Sequence, residues 1–266
     1  MKKPISAESN FNITQNEPNK SQNINLWNFK LEGSYKNGKG KEYDEYGRLI
    51  YEGEYLNGKR HGKGKEYKLD YRYVYVREAE ADGIEDIYYL YYEGEYLNGQ
   101  ICGKGKEYNS NGQLIYEGEF LNGKRHGKGK EYQYGKLIFE GEYYNGKRHG
   151  KGKEYKNFDL IFEGEYYNGE RHGKGKEYKF DHRYVYVREA EADGIEQIHY
   201  LYYEGEYLNG QICGKGKEYN SNRQLIYEGE FLNGKRHGKG KEYQYGKLIF
   251  EGEYYNGKRY WKRKID

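Results

Sequence analysis

Five histidines recur in one setting, after Lys-Arg or Glu-Arg and before Gly, at His61, His126, His149, His172 and His237. Paired glutamates recur almost as regularly in the triplet Glu-Gly-Glu, as at Glu52 and Glu54. Imidazoles bind transition metals and both groups move protons, so the question is whether the spacing brings them together. The spacing argues that it does not. If each unit adds two strands, neighbouring imidazoles stand roughly 10 Å or more apart, whereas Zn–N bonds are ~2.0–2.1 Å. Catalysis also needs one place unlike the rest, and here the same carboxylates return in nearly every unit. Serine is scarce, and no glycine loop that could cradle phosphate precedes a helix. The expectation is no enzyme, no metal, no cofactor and no small-molecule substrate.

The same setting carries a row of cations, Lys59, Arg60, Lys124, Arg125, Lys147, Arg148, Arg171, Lys235 and Arg236. A denser cluster follows at Lys258, Arg259, Lys262, Arg263 and Lys264, interleaved with Tyr260 and Trp261. Brought to one edge, such cations would read an anionic surface, at about 1 kcal/mol per Lys or Arg near an anionic leaflet. Charged turns also keep a sheet edge from aggregating, and both readings stay open. Gln100-Ile101-Cys102, Gln211-Ile212-Cys213 and Glu170 interrupt the row.

These residues are positioned by a repeating unit. Leu137 to Tyr144 is mostly aliphatic and aromatic, Asn145 to Gly150 is a Gly-rich charged break, and Lys151 to Tyr155 is a second short run, which together predict a β-hairpin. Alternation places Leu137, Phe139, Gly141 and Tyr143 on one face and Ile138, Glu140, Glu142 and Tyr144 on the other. With Asn145 to Gly150 as the loop, Tyr143 faces Gly152 and Glu142 faces Lys153. An aromatic ring then covers a strand glycine.

The triplet or a close variant is centred on Gly33, Gly53, Gly94, Gly118, Gly141, Gly164, Gly205, Gly229 and Gly252, giving nine units with a basic period of 23 residues. Two spacings of 41 residues hold long insertions within 68–92 and 179–203. There Tyr71-Arg72-Tyr73-Val74-Tyr75-Val76 is rich in strand formers and Asp82-Gly83 signals a turn, so each insertion predicts a long projecting hairpin. Its Tyr71, Tyr73 and Tyr75, with His182, Tyr184 and Tyr186 in the second copy, are candidate protein contacts, because Tyr offers contact area at low entropic cost. The blocks from Glu52 and Glu163 match almost residue for residue at an offset of 111.

Of the 266 residues, 35% are hydrophobic and 18% aromatic, including 37 Tyr, which suits a thin sheet with rings for a core. The 46 basic and 43 acidic residues are interleaved, without the basic bias of a nucleic-acid binder. No stretch approaches the ~20 apolar residues of a membrane span, and Met1 to Ile24 lacks a secretory apolar region. The expected location is cytoplasmic, with membrane-peripheral as the alternative. Cys102 and Cys213 lie four units, roughly 38 Å, apart, too far for a disulfide. Residues 1–25 read as a disordered polar tail, 26–259 as the array, and 260–266 as a basic tail. Trp27 and Trp261 are candidate end caps.

Units such as Tyr51-Glu52-Gly53-Glu54-Tyr55-Leu56-Asn57-Gly58-Lys59-Arg60-His61-Gly62-Lys63-Gly64 resemble the MORN repeat, Y-x-G-x-[WY]-x-x-G-x-x-x-G-x-G. The resemblance covers about residues 26 to 261. It implies an all-β fold, an elongated, twisted, single-layer antiparallel sheet of tandem hairpins forming a solenoid. Tyr or Phe replaces the frequent Trp at Tyr55, Tyr96, Phe120 and Tyr143, and the long hairpins are not part of the pattern. The implied function is a non-catalytic scaffold for protein partners; the alternative is a peripheral module for anionic, phosphoinositide-like lipids, as discussed for junctophilins and plant phosphatidylinositol phosphate kinases.

Overall fold

The protein is described by a computed structural model over residues 30–33, 36–76, 81–187 and 192–260, with the backbone alone for 30–31, 72–76, 81–85, 183–187 and 192–196. Within these residues there are eighteen strands and no helix. They are β1 Lys30–Gly33, β2 Asn37–Tyr43, β3 Leu49–Leu56, β4 Lys59–Val76, β5 Ala81–Leu97, β6 Gln100–Tyr108, β7 Leu114–Leu121, β8 Lys124–Gln133 and β9 Lys136–Tyr144. The second half holds β10 Lys147–Lys156, β11 Asp159–Tyr167, β12 Glu170–Val187, β13 Ala192–Leu208, β14 Gln211–Tyr219, β15 Leu225–Leu232, β16 Lys235–Gln244, β17 Lys247–Tyr255 and β18 Lys258–Tyr260. Every strand pairs antiparallel with the next in sequence, in one open sheet.

From Asn57-Gly58 onward, Asn-Gly makes the sharp turn of each hairpin on one edge. Asn145 and Gly146 have φ of 52° and 87°, the doubly left-handed turn whose twist matches that of the strands it joins. The Gly146 amide also donates to the Arg125 carbonyl of the preceding unit at 2.9 Å, so each turn is tied to its neighbour. The expected loop of Asn145 to Gly150 is therefore corrected. Lys147, Arg148 and His149 already belong to β10 and face Tyr144, Tyr143 and Glu142. The ladder then skips to Gly152 opposite Gly141 and Lys153 opposite Glu140, so the predicted pairs Tyr143–Gly152 and Glu142–Lys153 do not form. Two residues, Gly150 and Lys151, are extruded as a bulge. Gly150 has φ of 60° beneath the Glu142 carboxylate, a place closed to a side chain.

The alternation of faces is as expected. Phe139 and Tyr143 are buried while Tyr144 is exposed. Ring cover over strand glycine also holds, but the ring is that of Phe139, two residues earlier on its own strand. A Cβ on Gly141 would lie 2.7 Å from Phe139 Cζ, and one on Gly152 would strike the same ring. The rings continue from unit to unit edge to face. Tyr116–Tyr143, Tyr143–Phe139, Phe139–Tyr166 and Tyr166–Phe162 have centroids 5.1–5.6 Å apart and planes 85–87° from parallel. The series runs unbroken from Tyr55 to Phe250 and forms the core of the sheet, which among the described residues has no second layer. Such pairs contribute about 0.5–1.5 kcal/mol each beyond burial.

Both insertions form hairpins. β4 and β5 stay paired to Val76–Ala81, and β12 and β13 to Val187–Ala192, well past the last pairs with outer neighbours at Tyr51–Glu66 and Phe162–Glu177. The first is braced at its base by Tyr88, whose hydroxyl donates to Asp44 at 3.2 Å. Its counterpart His199 instead has Nε2 2.7 Å from the Leu160 carbonyl. The tail of residues 1–25 and both tryptophans lie outside the described residues.

Candidate functional site

The arginines of the cationic row are placed by the two-residue turn. Because β10 begins at Lys147, Arg148 lies opposite Tyr143 on the ring face, while Lys147 and His149 fall on the other. The Arg148 guanidinium covers the Phe139 ring, 4.1 Å from its centroid, so that ring is held between glycines and a cation. The same guanidinium reaches Glu131 at 2.5 Å and Glu154 at 3.9 Å. Arg171 repeats the arrangement with Glu154 at 2.6 Å and Glu177 at 3.5 Å, and Arg60, Arg125 and Arg236 each bridge one glutamate of the preceding unit and one of their own.

Burial raises the Glu131 carboxyl, but the hydrogen bond and charge of Arg148, with the Tyr143 hydroxyl and Arg125, outweigh it and hold the group below its usual range. Glu42 and Glu154 are lowered the same way by Arg60 and Arg171. Burial works against the Arg148 cation, yet the Glu131 hydrogen bond and charge raise its pKa further. Where the row is interrupted, Ile101 packs against the rings and Lys68 Nζ lies 3.1 Å from the Tyr91 centroid. An aliphatic side chain and a Lys–Tyr pair replace the arginine there.

The expected row of free cations is thus split. Lys59, Lys124, Lys147, Lys235 and Lys258 are exposed beside the Asn-Gly turns. Arg60, Arg125, Arg148, Arg171 and Arg236 are half-buried structural bridges on the ring face, and Arg259 pairs with Glu242 at 2.8 Å. Lys262, Arg263 and Lys264 lie outside the described residues. In the long hairpins Tyr71 and His182 are exposed, and the Tyr71 and His182 amides are capped at 2.9 Å by the Asp70 and Asp181 carboxylates. Tyr73, Tyr75, Tyr184 and Tyr186 are paired through the backbone with Ile84, Asp82, Ile195 and Asp193.

The histidines are strand residues rather than turn residues. His149 lies between Tyr144 and Tyr167, with centroids 5.6 and 5.4 Å away. Among the described residues no cluster of His, Cys, Asp and Glu could hold a metal ion. Cys102 and Cys213 are free thiols, pushed up by burial and by Glu95 or Glu206.

The surface missed in the sequence is the face opposite the rings. A groove of about 2540 Å³ runs along the sheet, lined from end to end by the Glu-Gly-Glu of one strand and the Lys-Gly-Lys of the next. β9 contributes Glu140 and Glu142, β10 Lys151 and Lys153, β11 Glu163 and Glu165. The Tyr155 hydroxyl donates to Glu140 at 2.7 Å and fixes that wall. Just before each Asn-Gly turn an apolar side chain on this face stays exposed, as at Leu56, Leu97, Leu121, Tyr144, Tyr167 and Leu208. Alternation alone would have found this rim, since residues two apart share a face.

A family model described as the MORN repeat matches residues 51–68, 92–114, 116–133, 139–158, 162–182, 203–223 and 227–244. No curated protein matches the chain. The units centred on Gly33 and Gly252 lie outside the seven matched segments, yet β1 and β2 pair there, as do β17 and β18. Seven matched units spanning more than half of the chain, each a hairpin of one continuous sheet, make this protein a member of the MORN-repeat family.

Proposed function

We propose that the protein is a non-catalytic scaffold of the cytoplasm that holds protein partners along the groove face. The observation that carries this reading is the form of that face, one groove with the same lining from every unit. Extended repeat surfaces of this kind commonly serve for docking, and its exposed Leu and Tyr rim supplies apolar contact beside charged walls. The long hairpins, with Tyr71, Tyr73, Tyr75, His182, Tyr184 and Tyr186, extend the contact surface. The test is partner recovery by affinity purification with the wild type and with Leu121→Ser/Tyr144→Ser/Tyr167→Ser/Leu208→Ser. These side chains are 49–61% exposed, so the variant should stay folded, which its thermal midpoint checks, while specific partners fall at least tenfold. Undiminished recovery sinks the reading.

A second reading, association with anionic membranes, is favoured by the lysines beside that rim. Leu56 faces Lys59, Leu121 faces Lys124, Tyr144 faces Lys147, Leu232 faces Lys235 and Tyr255 faces Lys258. Among the described residues no helix is long and apolar enough to cross a membrane, so contact on this reading is peripheral. Co-sedimentation with phosphatidylserine or phosphoinositide vesicles should then be lost on Lys124→Gln/Lys147→Gln/Lys235→Gln with no loss of stability. Should the triple variant sediment like the wild type, the lysine edge is not a lipid contact.

A further inference from the structure

The groove has a regular electrostatic pattern. β9 sends two carboxylates into it, β10 two ammonium groups and β11 two carboxylates again, and this alternation continues through both blocks. Lys153 is in register with Glu140 on one side and Glu163 on the other. Neighbouring bands pair directly in places, as Lys41 with Glu52 at 3.4 Å and Lys241 with Glu251 at 3.6 Å. Strands lie ~4.8 Å apart, so bands of like sign recur about every 9.6 Å. A polymer of uniform charge, whether nucleic acid, acidic tail or polylysine, meets as many repelling bands as attracting ones. The pattern selects an occupant that alternates in sign with the same period.

Regular polypeptide conformations can be compared on that period. A β-strand returns to one face every two residues, ~6.6 Å, which falls between bands. An α-helix returns to nearly the same face after seven residues, ~10.5 Å, and drifts by about 0.9 Å per period against ~9.6 Å. Along a groove of ~80 Å, that helical mismatch accumulates to about 7 Å, more than half a period, so a helix of heptad charges goes out of phase. A polyproline II chain returns to one face every three residues, ~9.3 Å, and drifts by only about 0.3 Å per period. It also leaves its backbone carbonyls unpaired, open to the Lys ammonium groups of the walls.

We propose that the occupant of this groove is a polyproline II segment of a partner protein built on triplets, with a basic residue at every third position and an acidic residue between. The basic side chain rides over each Glu band and the acidic one falls beside the following Lys band. This rests on the reading of the groove face as the partner-binding surface and names the chemistry of that partner.

The test uses the full chain and fluorescent synthetic peptides followed by polarisation. The probes are (Lys-Glu-Pro)n, a four-residue variant (Lys-Glu-Pro-Pro)n of equal length, a Glu/Lys heptad helix, and oligo-Glu. The triplet peptide should bind at least tenfold more tightly than each of the others. Its binding should fall at least tenfold on Lys130→Glu/Lys153→Glu, which leaves one Lys and one Glu in each of two Lys bands that alternate with three acidic ones, in a variant whose thermal midpoint is checked independently. Equal or tighter binding of the heptad helix overturns the proposal, as does binding that ignores triplet phase or the charge reversal. If all peptides are inert while partner recovery still depends on the Leu121 to Leu208 rim, the polyproline II assignment fails and the scaffold reading stands. Loss of that rim dependence removes the scaffold reading itself.

Discussion

Phe139→Ala is expected to lower the unfolding free energy by about 3–5 kcal/mol, the range for truncating a buried aromatic. Phe139 is fully buried and joins the rings of Tyr143 and Tyr166 at 5.6 and 5.1 Å. Its loss leaves a gap over Gly141 and Gly152, uncovers the Arg148 guanidinium, and cuts the ring series in two. A sheet of one layer has nothing behind it to collapse into that gap. Because each unit touches only its neighbours, the damage should centre on β9 to β11, and amide exchange there should accelerate before that of distant units. Phe139→Tyr is the control and should cost under about 1.5 kcal/mol. Tyr116 occupies the equivalent place, its hydroxyl donating to the Glu119 carbonyl at 3.3 Å. Urea unfolding of both variants decides the matter, and equal midpoints would show that the ring series is not the core.

Arg148→Ala should cost about 2–3 kcal/mol at neutral pH, somewhat less than the ~3–5 kcal/mol for breaking a fully buried pair, because its side chain keeps some solvent contact. The variant removes the lid of the Phe139 ring and leaves Glu131 with the Tyr143 hydroxyl at 2.8 Å and, as its cation, only the more distant arm of Arg125 at 3.5 Å. Lys147→Ala, one residue away but exposed, should stay within about 0.5 kcal/mol. The pH dependence has a definite sign. The Glu131 pKa is lower folded than its ordinary value of 4.5, so its stabilisation is complete above that value and is lost as pH falls through the lowered one. The wild type should therefore lose stability as pH falls below 4.5, and the gap between wild type and Arg148→Ala should narrow over the same window. A gap that stays constant from pH 7 to pH 3 would show that the cost lies in packing rather than in the ion pairs.

Much of this molecule could be read from composition and period. Alternation along Leu137 to Tyr144 separated ring face from charged face. The period of 23 residues marked the hairpins, and the insertions before Tyr92 and Tyr203 marked the two long ones. These features are local, since a strand fixes the side of each residue by counting in twos, and a repeated unit shows the same count many times.

The register and the role of the arginines were less legible, for related reasons. A run such as Asn145 to Gly150 looks like one loop because all its residues tolerate turns. Only the backbone decides that Asn145-Gly146 closes the turn and that the surplus is extruded at Gly150-Lys151. That choice moves Arg148 from a loop to a strand position on the ring face. Its partners Glu131 and Glu154 belong to β8 and β10, the strands on either side of β9, about 17 and 6 residues away in sequence, and no local pattern announces that they converge on one guanidinium.

The sequence by itself determined the repeat, the hairpin, the two faces and the family resemblance, because each depends on contacts within one unit. Tertiary structure alone decided which cations are free and which are bound into the ring face, and that the Glu and Lys bands line a single groove. Both outcomes depend on how neighbouring units stack, where turn geometry and bulges set the register and a shift of one residue sends every side chain to the opposite face.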